Sequence, residues 1–284
     1  LANFARISQA IGRRADYVQG GGGNTSVKLE NGLMAIKASG YRLSDVTSQS
    51  AYAVLDYKSL SQFYYDHEPA DFENVEAAGA DCAKEHTKVI DGLKPLRPSV
   101  EAGFHSILKT YVLHTHSVYA NLAACSEACK AIATLAFEGT SYSWGWVDYV
   151  DPGTNLTFAI RDEMARVEKE TGKIPSVILM QNHGIIVHDD DPNVCLAIQT
   201  DSNARLLRSD RCCFPASKGE GTGRWPVCCR YPISETTAFE LPVQPPAADG
   251  ESVVSGSDGF SGRQLLHGSA RHSRGSGCCQ HQNW

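Results

Sequence analysis

The chain has 284 residues, 42% of them hydrophobic, which is enough to bury a sizeable core without disulfide bonds. Its 26 basic and 32 acidic residues give a formal net charge of −6, so no basic excess favours binding to nucleic acid or to an anionic membrane. The longest apolar runs are far shorter than the roughly 18 residues that a membrane span needs. No signal peptide is recognisable after Leu1, and we expect a soluble, cytoplasmic protein.

Apolar spacing and turn residues divide the first part of the chain into short elements. In chain order, the sequence predicts a helix over 2–14, strands over 25–29, 33–37 and 52–57, a polar and moderately helical stretch over 72–91, and a helix over 100–110. Within residues 43–66, Ser44-Asp45-Val46 is expected to form a turn before the third strand. Ser99 is the predicted N-cap of the last of these helices, because a serine hydroxyl can accept from a free N–H group of the first helical turn.

The following hundred residues alternate in the same way. The sequence predicts a strand over 111–116, a helix from 118 to 124 or beyond, a mixed region over 131–160, a helix over 162–171, strands over 177–180 and 185–187, and a helix from 192 to about 208. The mixed region carries an aromatic cluster of Tyr142, Trp144, Trp146 and Tyr149. Strands alternate with helices without strict regularity, which indicates α/β layers around a mixed sheet.

Composition changes abruptly near residue 211. Residues 211–284 hold six of the ten cysteines, as three adjacent pairs, and 25 of these 74 residues are Gly, Ser or Pro. One interpretation is a secreted disulfide framework. The other is a low-complexity or non-native tail that cannot bury enough apolar surface to fold, and we adopt this second division, with domain 1–210 and tail 211–284. Reduced thiols are expected for the remaining cysteines.

Three histidines and one carboxylate are candidate metal ligands. His114 and His116 are two residues apart on a predicted strand, so that both imidazoles point to the same face. His183 lies between two apolar strands, and Glu101 lies at a predicted helix start. Three imidazoles with one carboxylate suit a catalytic Zn²⁺ site. The alternative is that these histidines are hydrogen-bonded core residues.

Three small, donor-rich turns are candidate anion sites. Residues 21–26 read Gly-Gly-Gly-Asn-Thr-Ser, which is typical either of a flexible turn or of a nest of backbone N–H groups that holds a phosphate. The sequence is neither a Walker loop nor a dinucleotide fingerprint. Lys37-Ala38-Ser39-Gly40 and Pro98-Ser99 form the other two turns. Together with a metal site, they indicate an anionic substrate held against an electrophilic ion.

These motifs, in this order, resemble the class II aldolase/adducin family. The resemblance covers about residues 2–208 and rests on Gly23-Asn24-Thr25-Ser26, Lys37-Ala38-Ser39-Gly40, Pro98-Ser99-Val100-Glu101, His114-Thr115-His116 and Asn182-His183-Gly184. The longer strings most resemble the rhamnulose-1-phosphate aldolase half of fused aldolase–dehydrogenase proteins. The resemblance implies a three-layer α/β/α sandwich with a mixed, largely antiparallel central sheet. It also implies a homotetramer with its sites between subunits.

The resemblance also implies roles for individual residues. His114, His116 and His183 would bind Zn²⁺ or another divalent metal, and Glu101 would be both the remaining ligand and the general base. The residues expected to bind the substrate phosphate are Asn24, Ser26, Ser39, Gly40 and Ser99. The implied reaction is aldol cleavage of a ketose 1-phosphate to dihydroxyacetone phosphate and an aldehyde, with the metal as Lewis acid.

Some residues depart from the family pattern. Val100 stands where many sugar-phosphate aldolases have a second serine, and either Lys28 or Lys37 could supply the missing phosphate contact. Tyr142 aligns poorly with the tyrosine acid that family aldolases use, and His105 is expected to support the site rather than bind the metal.

Two other functions remain open at this point. The same metal site would serve a sugar-phosphate 4-epimerase, dehydratase or decarboxylase of the family. A non-enzymatic, adducin-like interaction domain would keep the fold without the chemistry.

Overall fold

A computed structural model describes the backbone of residues 1–213 and the side chains of residues 1–209. The helices within this part of the chain are α1 (Ala2–Gly12), α2 (Tyr57–Asp66), α3 (Val75–Glu85), α4 (Ala102–Ile107), α5 (Val118–Ala124), α6 (Cys129–Phe137), α7 (Thr154–Thr171) and α8 (Pro192–Cys213). The strands are β1 (Asn24–Lys28), β2 (Leu33–Lys37), β3 (Tyr52–Asp56), β4 (Thr87–Lys88), β5 (Tyr111–Thr115), β6 (Trp144–Val147), β7 (Val177–Met180) and β8 (Gly184–Asp189). Most of the predicted tail lies outside the described residues.

The strands form one sheet in the order β4-β3-β2-β1-β5-β8-β7-β6. β6 and β7 run parallel, and every other neighbouring pair is antiparallel. The predicted mixed, largely antiparallel sheet is therefore confirmed. β5 lies at its centre, between β1 and β8, so its side chains are covered on both faces.

Alternation along the central strands explains the three layers. On β7, Val177 and Leu179 pack in one core cluster, whereas Ile178 and Met180 pack in the cluster on the opposite face. Helices α1, α5, α6 and α8 contribute to the first cluster, and α2, α4 and α7 contribute to the second. A strand buried on both faces has no polar alternation, which is why residues 177–180 form an uninterrupted apolar run. The predicted α/β/α sandwich is confirmed.

Two helices in the first half of the chain differ from the sequence prediction. The stretch after β3 is helical, because the Asp56 carboxylate accepts a hydrogen bond from the Ser59 N–H group and caps α2. The helix predicted over 100–110 is shorter: Glu101, not Ser99, occupies the N-cap position, and the helix ends at Ile107. Beyond it, the Thr110 N–H group donates to Asp190, which holds this segment against β8 instead of continuing the helix.

The long helix α7 begins at Thr154, eight residues before its predicted start. Its first N–H groups are satisfied from a distant part of the chain. The Glu76 carboxylate of α3 accepts from the Thr154 and Asn155 N–H groups at 2.7 and 3.0 Å. An acidic side chain stabilises the positive end of the helix dipole, and a partner 78 residues away in sequence gives no local signal.

Cys82, Cys125, Cys129 and Cys195 are free thiols, as expected for this part of the chain. Among the described helices, none is both long enough and apolar enough to cross a bilayer.

The buried His188 on β8 predicts a loss of stability in mild acid. Burial lowers the pKa of His188 to about 3, and the nearby Lys109 and Lys28 charges act in the same direction. The unfolded chain takes up this proton near pH 6.5, whereas the folded chain does not, so stability falls as the pH drops from 6.5 towards 3. We expect His188→Asn to reduce the loss in unfolding free energy between pH 7 and pH 5 by about 2 kcal/mol.

Urea unfolding at both pH values measures this difference. Asparagine keeps a side-chain acceptor for the Lys109 N–H group, which donates to His188 Nδ1 at 3.4 Å. Equal pH dependence in the variant and the parent protein would show that His188 titrates normally.

Candidate metal centre

The two histidines at the end of β5 face each other across a short gap. His114 lies on the face of the sheet that α4 covers, where its ring contacts Phe104 edge to face with centroids 5.7 Å apart. His116 follows immediately after the strand. The Nε2 atoms of His114 and His116 are 3.0 Å apart. The predicted same-face arrangement of the pair therefore brings their ring nitrogens together.

His183 reaches this pair from the tight turn between β7 and β8. Asn182 adopts a left-handed conformation with φ 55°, and the His183 N–H group donates to the Met180 carbonyl at 3.2 Å. The His183 ring centroid lies 4.9 Å from that of His114 and 5.2 Å from that of His116. One ligand atom from each of these three histidines lies within 4.8 Å of the others, and the group could hold a metal ion.

The Glu101 carboxylate closes the cluster from the N-terminus of α4. Its Oε1 lies 3.1 Å from His183 Nε2, and its Oε2 lies 3.6 Å from His114 Nε2. The side chain is 8% exposed, so water screens its charge weakly. The Asn24 amide at the start of β1 donates to Oε2 at 2.5 Å. Glu101 thus lies beside the group of three histidines, next to His114 and His183.

The electrostatics of the cluster favour a carboxylate beside neutral imidazoles. Burial opposes the charge on Glu101, but the hydrogen bonds that it accepts from His183 and from the Asn24 amide favour it, so that the pKa of Glu101 lies below its usual range. Burial lowers the pKa of His114 and of His116, although the Glu101 charge opposes this shift. A metal ion binds neutral imidazole nitrogens and ionised carboxylates, and these are the forms that the pKa shifts of His114, His116 and Glu101 favour.

The donor set fits a divalent metal. His114 Nδ1 lies 3.2 Å from the Ile185 carbonyl, which can only accept a hydrogen bond. The neutral ring therefore carries its proton on Nδ1, and the bare Nε2 lone pair points at His116. Carbonyl acceptors behind metal-bound histidines fix the tautomer in this way. Three imidazoles and one carboxylate are a typical donor set for Zn²⁺.

The glycine run packs directly against the histidine strand. A Cβ atom on Gly22 would lie 3.1 Å from His116 Nδ1, and one on Gly23 would overlap the His114 carbonyl oxygen at 2.6 Å. Gly23 also has a φ of 69°, a conformation that side chains disfavour. Close approach to the histidine strand thus accounts for these two glycines.

This packing predicts that Gly23→Ala is more damaging than an ordinary glycine substitution. Backbone strain at positive φ costs roughly 1–2 kcal/mol, and the overlap with His114 adds roughly 1–3 kcal/mol. Gly139 is a matched control, because its φ of 70° is nearly the same and a Cβ atom there meets nothing within 4 Å. Chemical denaturation of both variants isolates the overlap; equal losses of stability would contradict this packing.

The three predicted anion-binding turns meet at one edge of the site. Ala38 forms an isolated bridge with Pro98, and the Ser39 N–H group donates to the Arg97 carbonyl at 2.9 Å. The Asn24 amide donates to Ser99 Oγ at 3.1 Å. Ser39 and Gly40 are exposed there, and Ser99 is half-buried.

The two lysines that could replace a missing phosphate contact lie in different places. The Lys37 ammonium donates to the carbonyls of Gly21 at 3.3 Å and Tyr41 at 2.8 Å, and so ties the glycine run to the turn after Gly40. Lys28 donates to the Leu108 carbonyl instead and lies over the Tyr57 ring. Lys37 is therefore the lysine at the anion-binding edge.

Ser26 and Tyr142 are not brought to this edge. Ser26 is fully buried, and its Oγ lies 2.7 Å from His105 Nδ1, between β1 and α4. The Tyr142 hydroxyl donates to Asp201 of α8 at 2.8 Å, and burial raises the pKa of Tyr142. A phosphate contact for Ser26 stays a prediction, and Tyr142, which aligns poorly with the family's tyrosine acid, is not assigned that role.

Sequence reasoning missed the polar side chains that anchor the histidine strand from its other face. Gln199 of α8 donates to Thr115 Oγ1 at 2.9 Å, and Asn203 pairs with Ser117. Thr115 and Ser117 flank His116 in sequence and point to the opposite side. Gln199 and Ser202 of α8 are fully buried, and buried polar groups need partners, but the sequence alone does not show this burial.

The layered fold and the histidine cluster define an α/β protein with a candidate metal centre. Residues 2–198 match the sequence-family model of the Class II Aldolase and Adducin N-terminal domain. The chain therefore belongs to the class II aldolase and adducin family, as its motifs predicted. A comparison with curated proteins gave no match.

Among the solved structures to which this chain is similar, two support the fold with TM-scores of at least 0.50. The N-terminal class II aldolase domain of a conserved protein from Thermoplasma acidophilum is 20% identical, with a TM-score of 0.58 over 72% of this chain and 91% of that one. An aldolase II superfamily protein from Pseudomonas syringae is 13% identical, with a TM-score of 0.50 over 75% of this chain and 77% of that one. A sugar-phosphate aldolase from Thermotoga maritima is also similar. It is 14% identical, with a TM-score of 0.48 over 72% of this chain and 91% of that one.

Proposed function

We propose that this protein is a metal-dependent aldolase that cleaves a ketose 1-phosphate to dihydroxyacetone phosphate and an aldehyde. The observation that carries the proposal is the Glu101 carboxylate, which is buried within 3.6 Å of both His114 Nε2 and His183 Nε2. The ion would be Zn²⁺ or another divalent metal held by His114, His116, His183 and Glu101. When bound there, it supplies Lewis-acid polarisation of a substrate carbonyl.

The protein's own residues divide the remaining work. Glu101 moves a proton at the reacting centre, because it is the ionised carboxylate that faces the histidine cluster. Ser39 and Ser99 offer hydroxyl groups and Gly40 an N–H group at the neighbouring edge, where a phosphate would be held, and Asn24 holds Ser99 in place there. The Lys37 charge, tied between the two turns, favours an anion there.

A homotetramer with sites between subunits is part of this proposal. Apolar side chains next to the predicted ligands in sequence are exposed: Val100 by 66%, Leu122 by 56% and Val118 by 42%. Val118 and Leu122 are four residues apart and share one face of α5. A second copy of the chain would cover them, and light scattering of the purified full chain measures whether it does.

Product analysis tests the proposed reaction. The full chain is loaded with Zn²⁺, Mn²⁺ or Co²⁺ and incubated with a panel of ketose 1-phosphates, and dihydroxyacetone phosphate is detected enzymatically. Its formation, and its absence after chelation, are the expected results. Conversion of a pentulose 5-phosphate to its C4 epimer without cleavage would assign the epimerase reaction instead. Metal binding without turnover of any sugar phosphate would contradict the proposal.

A further inference from the structure

A chain of buried polar side chains runs behind the Glu101 carboxylate. Ser26 Oγ lies 2.7 Å from His105 Nδ1, and His105 Nε2 is hydrogen-bonded to Asn24 Oδ1. The Asn24 amide nitrogen then reaches Glu101 Oε2 at 2.5 Å. Asn24 and Ser26 are two residues apart on β1 and therefore share the face that α4 covers. Each of these four residues, counted with its backbone, is at most 6% exposed.

The hydrogen bonds of this chain can run in only one direction. The Glu101 carboxylate accepts, so the Asn24 amide must present its NH₂ group to it and its carbonyl oxygen to His105. His105 must then carry its proton on Nε2, and its Nδ1 must accept from the Ser26 hydroxyl. Burial lowers the pKa of His105 to about 3, which keeps the ring neutral and permits this tautomer.

We propose that His105 is a positioning residue, which holds the Asn24 amide so that it donates to Oε2 of Glu101 and leaves Oε1 directed at the histidine cluster. This inference rests on the proposed role of Glu101 as the general base. Ser26 fixes the tautomer of His105 rather than binding the substrate. His183 contacts Oε1, and the Asn24 amide fixes the second carboxylate oxygen. Loss of the Asn24 hydrogen bond lets the carboxylate rotate about its terminal bonds and leave its productive orientation.

The alternative is that these residues are only a satisfied polar cluster within the core. Such a cluster would contribute to stability but would not depend on which nitrogen of His105 bears the proton. The positioning role requires the proton of His105 to be on Nε2, and it predicts that a variant with a donor at that place keeps the function. Glutamine at position 105 can place an NH₂ donor near the position of Nε2, whereas leucine cannot.

The first test measures the tautomer in the full-length protein. Long-range ¹H–¹⁵N spectra of ¹⁵N-histidine-labelled protein, with and without Zn²⁺, separate rings that carry their proton on Nε2 from rings that carry it on Nδ1. The His105 signal is assigned from its disappearance in His105→Gln. We expect Nε2–H with both preparations; an Nδ1–H or doubly protonated ring would overturn the proposal.

The second test compares His105→Leu with His105→Gln. We expect the leucine variant to bind the metal with normal stoichiometry but to lose about 10–100-fold in kcat, with little change in KM. The glutamine variant should recover most of this loss. Equal kcat values for the folded fractions of all three proteins, with only the melting temperature lowered, would show a purely structural role.

A third measurement keeps the two proposals separable. The ¹³C signal of the Glu101 carboxyl group should shift in His105→Leu and return towards its original position in His105→Gln, whether or not the protein cleaves a sugar phosphate. If His105→Leu does not fold, Ser26→Ala removes the donor to Nδ1 and should perturb the same signal. An unchanged Glu101 signal in the folded variants would overturn the positioning role, and absent cleavage with a shifted signal would overturn only the proposed reaction.

Discussion

Replacing His116 by alanine is expected to remove the bound divalent metal and with it any aldol cleavage. His116 is half-buried, whereas His114 is fully buried, so this substitution removes a ligand with the least damage to the core. Loss of residues that merely orient metal ligands costs 10–100-fold in affinity, so loss of a ligand should lower metal affinity by more than about 100-fold. Metal analysis after dialysis, together with circular dichroism, measures the effect in folded protein.

His67→Ala is the matched control for this experiment. His67 lies on the surface after α2, where it pairs with Asp71 at 3.7 Å, and its loss should leave the metal content unchanged. One equivalent of metal retained by His116→Ala, with the affinity of the parent protein, would contradict the assignment.

The second large effect is expected for Glu101→Gln. Glutamine keeps the shape of the side chain but cannot accept a proton, and general-base catalysis contributes about 10²–10⁴-fold. We expect cleavage to fall by that factor, while three imidazoles retain the metal. NMR can also follow the exchange of carbon-bound protons of dihydroxyacetone phosphate with deuterated water. This exchange measures proton transfer by the general base in the absence of the aldehyde.

The exposed Glu127, between α5 and α6, provides the control for charge removal. Glu127→Gln should keep both cleavage and proton exchange at the level of the parent protein, because this side chain is exposed and solvent and salt screen its charge. Proton exchange at a normal rate in Glu101→Gln would show that another group is the base.

Much of the fold could be predicted because its signals are local. The alternation of His114 and His116 on one face and the apolar runs of β7 and β8 reflect the two-residue period of a strand. The Asp191-Pro192 start of α8 is a local cap. Family motifs supplied the three-layer architecture, whereas Glu101 was a candidate ligand from its position at a predicted helix start.

What could not be predicted depends on partners distant in sequence. The start of α7 is set by Glu76, and the end of α4 by contacts with the segment after β8. The pairing of Ser26 with His105 likewise requires β1 and α4 to be packed together. Motif reasoning places Ser26 at the phosphate, whereas the packing directs its hydroxyl into the core.

The absorption spectrum at the zinc K-edge of the full chain, loaded with one equivalent of Zn²⁺, tests the central claim most directly. If His114, His116, His183 and Glu101 bind the ion, the first shell will contain only nitrogen and oxygen, at about 2.0–2.2 Å, with the scattering pattern of imidazole rings. The ten cysteines of the chain are the competing ligands. A shell of sulfur at about 2.3 Å would place the metal on thiolates and contradict the account.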